Sequence, residues 1–427
     1  PVPRPGAGLM DVGIDRCALP GVGVPAALVE APDRFGGRRA GELLCGTLVL
    51  HGGRAACLEA TPDAAEPTRL VLPRLAESHV HLDKCHSVDR CLGVGGDLAA
   101  AIAAQRRDMA HWTEGDVARR ARRGLQEALD AGCGAVRSHV DWPAAAGQPD
   151  RPLAWEVIAD LAAQARARGA TLQLAALTGI DEMAVHGRAA AVARDVARTG
   201  GVLGAVLLDQ ADRRAGLRAI FAEADRRGLA LDFHVDEGLD PALDGLEMIA
   251  DTALETRFAG PILCGHACSL AARPAGDVAR IGDKLARAGI AVAALPATNL
   301  YLQGRRAGTP DRRGITRLHE LAARGVEIVL GTDNVRDAFC PVGRHDPLHT
   351  LSLAVLAGHL DPPFGRHLPA ITTAARRAMG LPALTVDGAA EADLLVFEVA
   401  HLSELISGAA APVPLPDHPG VTPCLTT

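Results

Sequence analysis

Four short apolar runs in the chain end in side chains that can bind a metal ion or move a proton. They read His79-Val80-His81, His234-Val235-Asp236-Glu237, Cys264-Gly265-His266 and Gly331-Thr332-Asp333-Asn334. In an extended strand, residues two apart point to the same side, so His79 and His81 share a face. A lone histidine at such a place is usually a satisfied core or surface residue, and H-x-H recurs in many chains. The information lies in the conjunction. Imidazoles and carboxylates delivered by four runs are a donor set suited to Zn²⁺ or Fe²⁺, and an open position leaves room for water. Such an ion lowers the pKa of bound water toward ~7 and so supplies hydroxide at neutral pH. Glu237 and Asp333 add carboxyl groups able to carry protons.

The fold must bring these ends together. From about residue 70 the apolar runs recur as Leu70–His81, Ala135–Asp141, Leu172–Leu177, Val202–Leu207, Ala230–Glu237, Pro261–His266, Ala291–Thr298 and Glu327–Asp333. Between them lie stretches of helical period: Glu114–Ala131, Ala154–Arg168, Arg188–Arg198, Arg214–Arg227, Asp277–Ala288 and Leu318–Arg324. Strands alternating with helices imply parallel pairing through right-handed crossovers. Eight such units in roughly 260 residues fit a (β/α)₈ barrel, whose active sites sit at the C-terminal strand ends. An open doubly wound sheet is the alternative, but no G-x-G-x-x-G opens a helix. The expected fold is therefore α/β, a TIM-like barrel over residues 70–380. Residues 1–69 and 381–427 are expected to form a small β-sandwich-like domain from both termini, with β pieces such as Gly46–Leu50 and Ala55–Leu58 and, after Leu384–Val386, a late apolar strand over Glu391–Phe397. Ala409–Pro419, rich in Ala and Pro, is expected to be irregular.

Six stretches together carry a resemblance: Ser78-His-Val-His-Leu-Asp-Lys84, Val136-Arg-Ser-His-Val-Asp141, Phe233-His-Val-Asp-Glu237, Cys264-Gly-His266, Asn299-Leu-Tyr-Leu-Gln-Gly-Arg305 and Gly331-Thr-Asp-Asn334. Over roughly residues 40–400 the chain resembles the amidohydrolase superfamily, in its cytosine-deaminase-like branch. The resemblance implies that His79, His81, His234 and Asp333 ligate one divalent metal, Zn²⁺ or Fe²⁺. It implies that His266 hydrogen-bonds the hydroxide on that metal and that Glu237 shuttles a proton to a substrate nitrogen. The implied reaction is hydrolytic deamination of a small nitrogen heterocycle, a cytosine-like pyrimidine or a related aminopyrimidine or aminotriazine, with release of ammonia. The same site would also serve a cyclic-amide hydrolase or an enzyme that releases an alkylamine from a triazine. Many relatives bridge two metals with a carbamylated lysine at the end of the fourth strand. Here Gly201–Gln210 has no lysine, and the chain's lysines are Lys84 and Lys284 alone, so one metal is expected. The resemblance also implies an oligomer rather than a monomer.

Substrate selection departs from the branch pattern. Cytosine deaminases read the pyrimidine edge with a Gln near the end of the third strand, whereas Leu174–Asp181 has none. Asn334 stands where they carry a second Asp. A missing buried hydrogen-bond partner discriminates by roughly 10⁴–10⁵, so a different ring is expected. Candidate substrate contacts are Lys84, Thr178, Asp181, Gln303, Asn334 and Phe339, with Asp337 and Trp142 beside them. Lys84 either reaches the substrate or pairs with Asp83 or Asp141, and His139 points into the barrel behind the ligands.

Composition narrows the remaining classes. The 427 residues carry a formal charge of −7, unlike the basic balance of a nucleic-acid binder. No apolar run reaches the ~18 residues of a membrane span, and no basic segment precedes an apolar one at the start. Ten cysteines are scattered without a C-x-x-C pair, which points to reduced thiols in a cytoplasmic protein. A structural zinc site built from those cysteines is not expected.

Overall fold

Eight strands pair in parallel, each beside the next: β1 (Leu75–Val80), β2 (Cys133–Asp141), β3 (Thr171–Gly179), β4 (Leu203–Leu207), β5 (Leu231–Val235), β6 (Ile262–His266), β7 (Ile290–Ala294) and β8 (Ile328–Leu330). The computed structural model describes residues 16–61, 66–91, 95–143 and 151–423. A parallel bridge from Val80 to Asp333 joins β1 to the chain just beyond β8. There the Asp333 N–H donates to the His79 carbonyl at 2.8 Å. The circle is thereby closed, and the fold is the expected (β/α)₈ barrel. Every residue of β1, β5, β6 and β7 is buried, as parallel strands covered on both faces require. The small residues of β7, Ile-Ala-Val-Ala-Ala, let the interior fill without crowding.

The crossover helices follow the sequence pattern closely. Helix Glu114–Asp130 buries Val117, Ala121, Leu125 and Ala128, spaced along one face, and opens with Thr113 accepting from the Asp116 N–H. Helices Leu153–Ala167, Arg188–Arg198, Arg213–Arg227 and Ala275–Ala288 fall where expected. Three differences have local causes. The run Leu70–His81 divides, because Pro73 lacks an N–H and breaks the ladder. Its first part, Arg69–Pro73, pairs antiparallel with Leu394–Phe397 instead. The seventh run stops at Ala294, since Pro296 starts a helix, Pro296–Leu302. Helices Leu98–Met109 and Gly245–Thr256 were not expected; the first is Ala-rich and carries little polar contrast around its circumference.

By contact pattern the chain divides into two units, one of them Arg74–Leu384 with Leu402–Pro412. The other runs up to Pro73 and resumes at Thr385–His401 and from Val413 onward. It holds a single mixed sheet in the order Val413–Pro414, Leu394–Phe397, Arg69–Pro73, Arg16–Pro25, Leu43–His51, Arg38–Ala40. Arg54–Glu59 adds beside Leu43–His51, and Thr422–Pro423 beside Arg16–Pro25. Leu384–Val386 forms no strand. Among the described residues no helix is long and apolar enough to cross a membrane, and the nine described cysteines are free; Cys424 lies outside the described residues.

The barrel interior holds a buried ion pair. Arg137 on β2 places Nη1 2.7 Å from Asp232 Oδ2 on β5, both fully buried. Its remaining donors reach the Gln173 side chain and the Met379 carbonyl. Removing one partner strands the other charge in a medium that cannot solvate it. Asp232→Ala is therefore expected to destabilise the fold by about 3–5 kcal/mol in denaturant unfolding. A loss below about 1 kcal/mol would show that Arg137 finds another partner.

Candidate active site

Closure of the barrel sets the geometry at its mouth. His79 and His81 lie at the end of β1, His234 on β5, and Asp333 just past β8. The His234 Nε2 lies 3.1 Å from His79 Nε2 and 3.1 Å from His81 Nε2. Asp333 Oδ1 is 3.5 Å from His79 Nε2 and 3.2 Å from His81 Nε2. All four side chains are at most 5 % exposed. Donors bound at the usual ~2.0–2.1 Å to one ion sit roughly 3–3.5 Å apart, which is the spacing found. Hydrogen bonding within the protein does not satisfy this cluster. The Nδ1 atoms of His79, His81 and His234 and both Asp333 oxygens are buried without a hydrogen-bond partner among the described residues. The donor set fits a divalent ion.

Electrostatics agree with ligand chemistry. Burial drives His81 and His234 well below the ordinary histidine pKa, so both rings are neutral, the form that coordinates a metal. Burial works against the Asp333 carboxylate, yet contacts from His79 and His81 hold its pKa well below the usual range. Glycines make the space around His79. A Cβ at Gly331 would lie 2.6 Å from His79 Cβ, and one at Gly265 would lie 2.9 Å from His79 Cε1. Asp333 and His266 adopt φ of 65° and 70°, a left-handed conformation uncommon outside glycine that turns each strand end sharply.

Around the cluster stand the proton-handling groups. His266 Nε2 faces Glu237 Oε2 at 3.6 Å, while its Nδ1 meets Asn299 Oδ1 at 3.2 Å. Burial raises Glu237 to about 7, with the His266 ring pulling the other way. His139 brings a ring nitrogen within 4.8 Å of those of His79, His81 and His234. Its Nε2, however, lies 3.0 Å from Asp232 Oδ1, and its ring centroid is 4.0 Å from that of His79, the rings tilted by 36°. That places it behind the cluster.

A cavity of about 390 Å³ opens onto His81, His234, His266 and Glu237. Of the expected substrate contacts, Lys84, Thr178, Asp181, Asn334 and Phe339 line it, as does Trp142. Gln303 does not line it. Following helix Pro296–Leu302, Gln303 is buried against Gly314, with Nε2 3.5 Å from the Glu237 carbonyl. Asp337 is also off the wall. It accepts from Asn334 Nδ2 at 2.7 Å and from the Phe339 and Cys340 N–H groups, and so shapes the loop. Lys84 donates to Asp141 at 2.6 Å and sits 5.2 Å from the Phe339 ring centroid. Thr178 spends its hydroxyl proton on the Gly204 carbonyl. The unanticipated wall residues are Gln105, Arg106, Ile102 and Met109 on helix Leu98–Met109, and Glu182 and Gln210. Gln210 just follows β4, so a search of all strand ends for polar residues would have found it; the helix carries no comparable signal.

Comparison with known proteins agrees with this architecture. Residues 94–411 match the amidohydrolase family. A pterin deaminase of Rhizobium rhizogenes is 36% identical over 343 residues, covering 79% of this chain and 77% of that protein. The crystal structure of 5-methylcytosine deaminase from Klebsiella pneumoniae superposes with a TM-score of 0.76 at 23% identity, over 93% of this chain and 95% of that one. N-isopropylammelide isopropylaminohydrolase from Burkholderia multivorans gives 0.68 at 21% identity, over 92% and 95%. With its barrel, its strand-end cluster and these similarities, the chain belongs to the amidohydrolase family.

Proposed function

We propose that the protein is a metal-dependent hydrolytic deaminase of an amino-substituted nitrogen heterocycle, with an aminopteridine or aminopyrimidine as substrate. The observation that carries this reading is the convergence of three imidazole nitrogens and Asp333 on one point, with Glu237 and His266 facing the same cavity. His79, His81, His234 and Asp333 would hold a single ion. No lysine stands at the end of β4 to bridge a second, since Lys84 is paired with Asp141 and Lys284 with Glu247 and Asp251.

Bound there, a divalent ion would act as a Lewis acid that readies water for attack near neutral pH. The rest falls to the chain's own side chains. Asp333 is placed to accept a proton from the attacking water. His266, held through Nδ1 by Asn299, directs Nε2 toward the attacking oxygen. Glu237, poised at about 7, can exist in either protonation state at neutral pH. It donates to the ring nitrogen beside the amino-bearing carbon as that carbon becomes tetrahedral, and a further proton then lets ammonia leave.

The cavity supports a flat heterocycle larger than cytosine. Trp142, Phe339, Ile102 and Met109 offer apolar surface to a ring face. Asp181, Gln105, Gln210 and Asn334 offer edge contacts. No glutamine stands near the end of the third strand, where cytosine deaminases read their base, since Gln173 lies earlier on it and holds Arg137; the pterin deaminase similarity covers most of the chain. Lys84 orients Asp141 and Phe339 more than it reaches the ligand.

Three outcomes follow. A screen of aminopteridines, aminopyrimidines and aminotriazines should show ammonia release; alkylamine release or a ring-opened acid as the sole product would replace this reading with one of its rivals. Glu237→Gln should keep its metal and lose roughly 10²–10⁴ in turnover, whereas near-normal turnover removes Glu237 from the proton path. His234→Ala should lose the mouth ion in an equilibrium metal-binding assay, and stoichiometric binding there would refute its role as a ligand.

A further inference from the structure

Beyond the mouth, a second group of ligand-type side chains is buried on the outer side of the same loops. Cys85 and His86 follow Lys84 in the loop after β1, and His345 lies just ahead of helix Pro347–Gly358. One sulfur and one nitrogen from each imidazole all lie within 4.8 Å of one another. Cys85 is fully buried, His345 is 1% exposed and the His86 side chain 4%.

Among the described residues, neither ring nitrogen of His86 nor either of His345 has a hydrogen-bond partner. A neutral imidazole carries one N–H and one lone pair, and buried polar groups of this kind are nearly always paired. Two such rings meeting edge to face, with centroids 5.9 Å apart and a buried sulfur beside them, leave a polar demand that a cation meets. The Cys85 thiol makes only long contacts, 3.5 Å to the carbonyls of Leu82 and Arg120.

Helix Glu114–Asp130 leaves the space open. A Cβ at Gly124 would lie 2.9 Å from His345 Nε2 and 3.0 Å from Cys85 Sγ. Glycine is otherwise unfavourable in a helix interior, so this one keeps two donor atoms from being pushed aside. From the same helix, Glu127 brings Oε1 to 3.7 Å from His86 Nε2 and leaves Oε2 buried without a hydrogen-bond partner. A Cys85 thiolate offsets one charge of a divalent ion; the Glu127 carboxylate is shared with Arg336 and Arg123, and Arg120 is occupied by Asp116 and backbone carbonyls.

We propose that Cys85, His86 and His345 ligate a second, structural metal ion, with Glu127 beside the remaining coordination position. Thiolate with imidazole selects a borderline-soft ion of the Zn²⁺ type over Mg²⁺ or Ca²⁺. Ligand atoms around such an ion sit roughly 3.5 Å apart, a spacing compatible with three donor atoms that all lie within 4.8 Å of one another. The ion ties the loop that follows His79 and His81 to the loop that follows Asp333. Backbone hydrogen bonds already lace the two together, from the His86 N–H to the Val335 carbonyl at 3.1 Å and from Val88 to Arg336 at 2.9 Å. This site stands whether or not the reading of the mouth is right.

Cobalt substitution of the whole protein tests it, because of the two sites this one offers a thiolate and the mouth does not. The wild type should bind two Co²⁺ per chain and show thiolate-to-cobalt charge-transfer absorption in the near ultraviolet. That band should vanish in Cys85→Ser and in His345→Ala but persist in His234→Ala, which removes the mouth ion alone. A wild type without the band, or a band that survives Cys85→Ser, overturns the proposal. A wild type without the band decides against the site even where a variant folds poorly.

Discussion

The hydrogen bond from the Asp333 N–H to the His79 carbonyl is the constraint on which the site depends. It is part of the seam that closes the barrel, and it brings the end of the eighth strand against the first. Once made, it sets Asp333 Oδ1 beside the Nε2 atoms of His79 and His81. Parallel pairing through the intervening strands carries His234 to the same point. Beneath the seam, buried Glu77 accepts from the N–H groups of Thr332 and His79, at 3.1 and 3.2 Å. Burial raises this carboxyl to about 7, so polar satisfaction at the seam is bought against desolvation. Packed Ala, Val and Leu of the inner strands supply the apolar burial that offsets it.

The mouth cluster and the proposed Cys85–His86–His345 site draw on the same two strand ends, with His234 on β5 completing the mouth. In both, barrel closure gathers groups far apart in the chain into a place where protein partners alone do not satisfy them. The difference lies in access. The mouth opens on a cavity with apolar walls, suited to substrate, whereas the second cluster is enclosed by helix Glu114–Asp130. One arrangement suits chemistry and the other suits bracing.

Much of this was legible in the sequence. Strand and helix periods announced the barrel, and polar residues at strand ends announced the cluster, because strand periodicity and the barrel rule are local and repetitive. What was hidden arose from contacts between distant residues. Pro73 divides an apolar run that periodicity reads as one strand. Helix Leu98–Met109 supplies a cavity wall, yet its Ala-rich sequence shows little amphipathic contrast. Gln303 belongs to a motif of the family resemblance but packs against Gly314 rather than facing the cavity. Cys85 and His86 carry no zinc-type spacing, since their partner His345 comes from the far end of the barrel. The scarcity of lysine was visible from composition. Its bearing on the number of metals was legible too, since Gly201–Gln210 holds none; the structure adds that both lysines are engaged in ion pairs.

The central claim is that water, activated at the mouth, replaces an amino group on a heterocyclic carbon. Turnover of an aminopteridine in heavy-oxygen water, followed by mass spectrometry of the product, tests it most directly. The account predicts one solvent oxygen at the carbon that bore the amino group for each ammonia released. A product that forms without solvent oxygen at that carbon would contradict it.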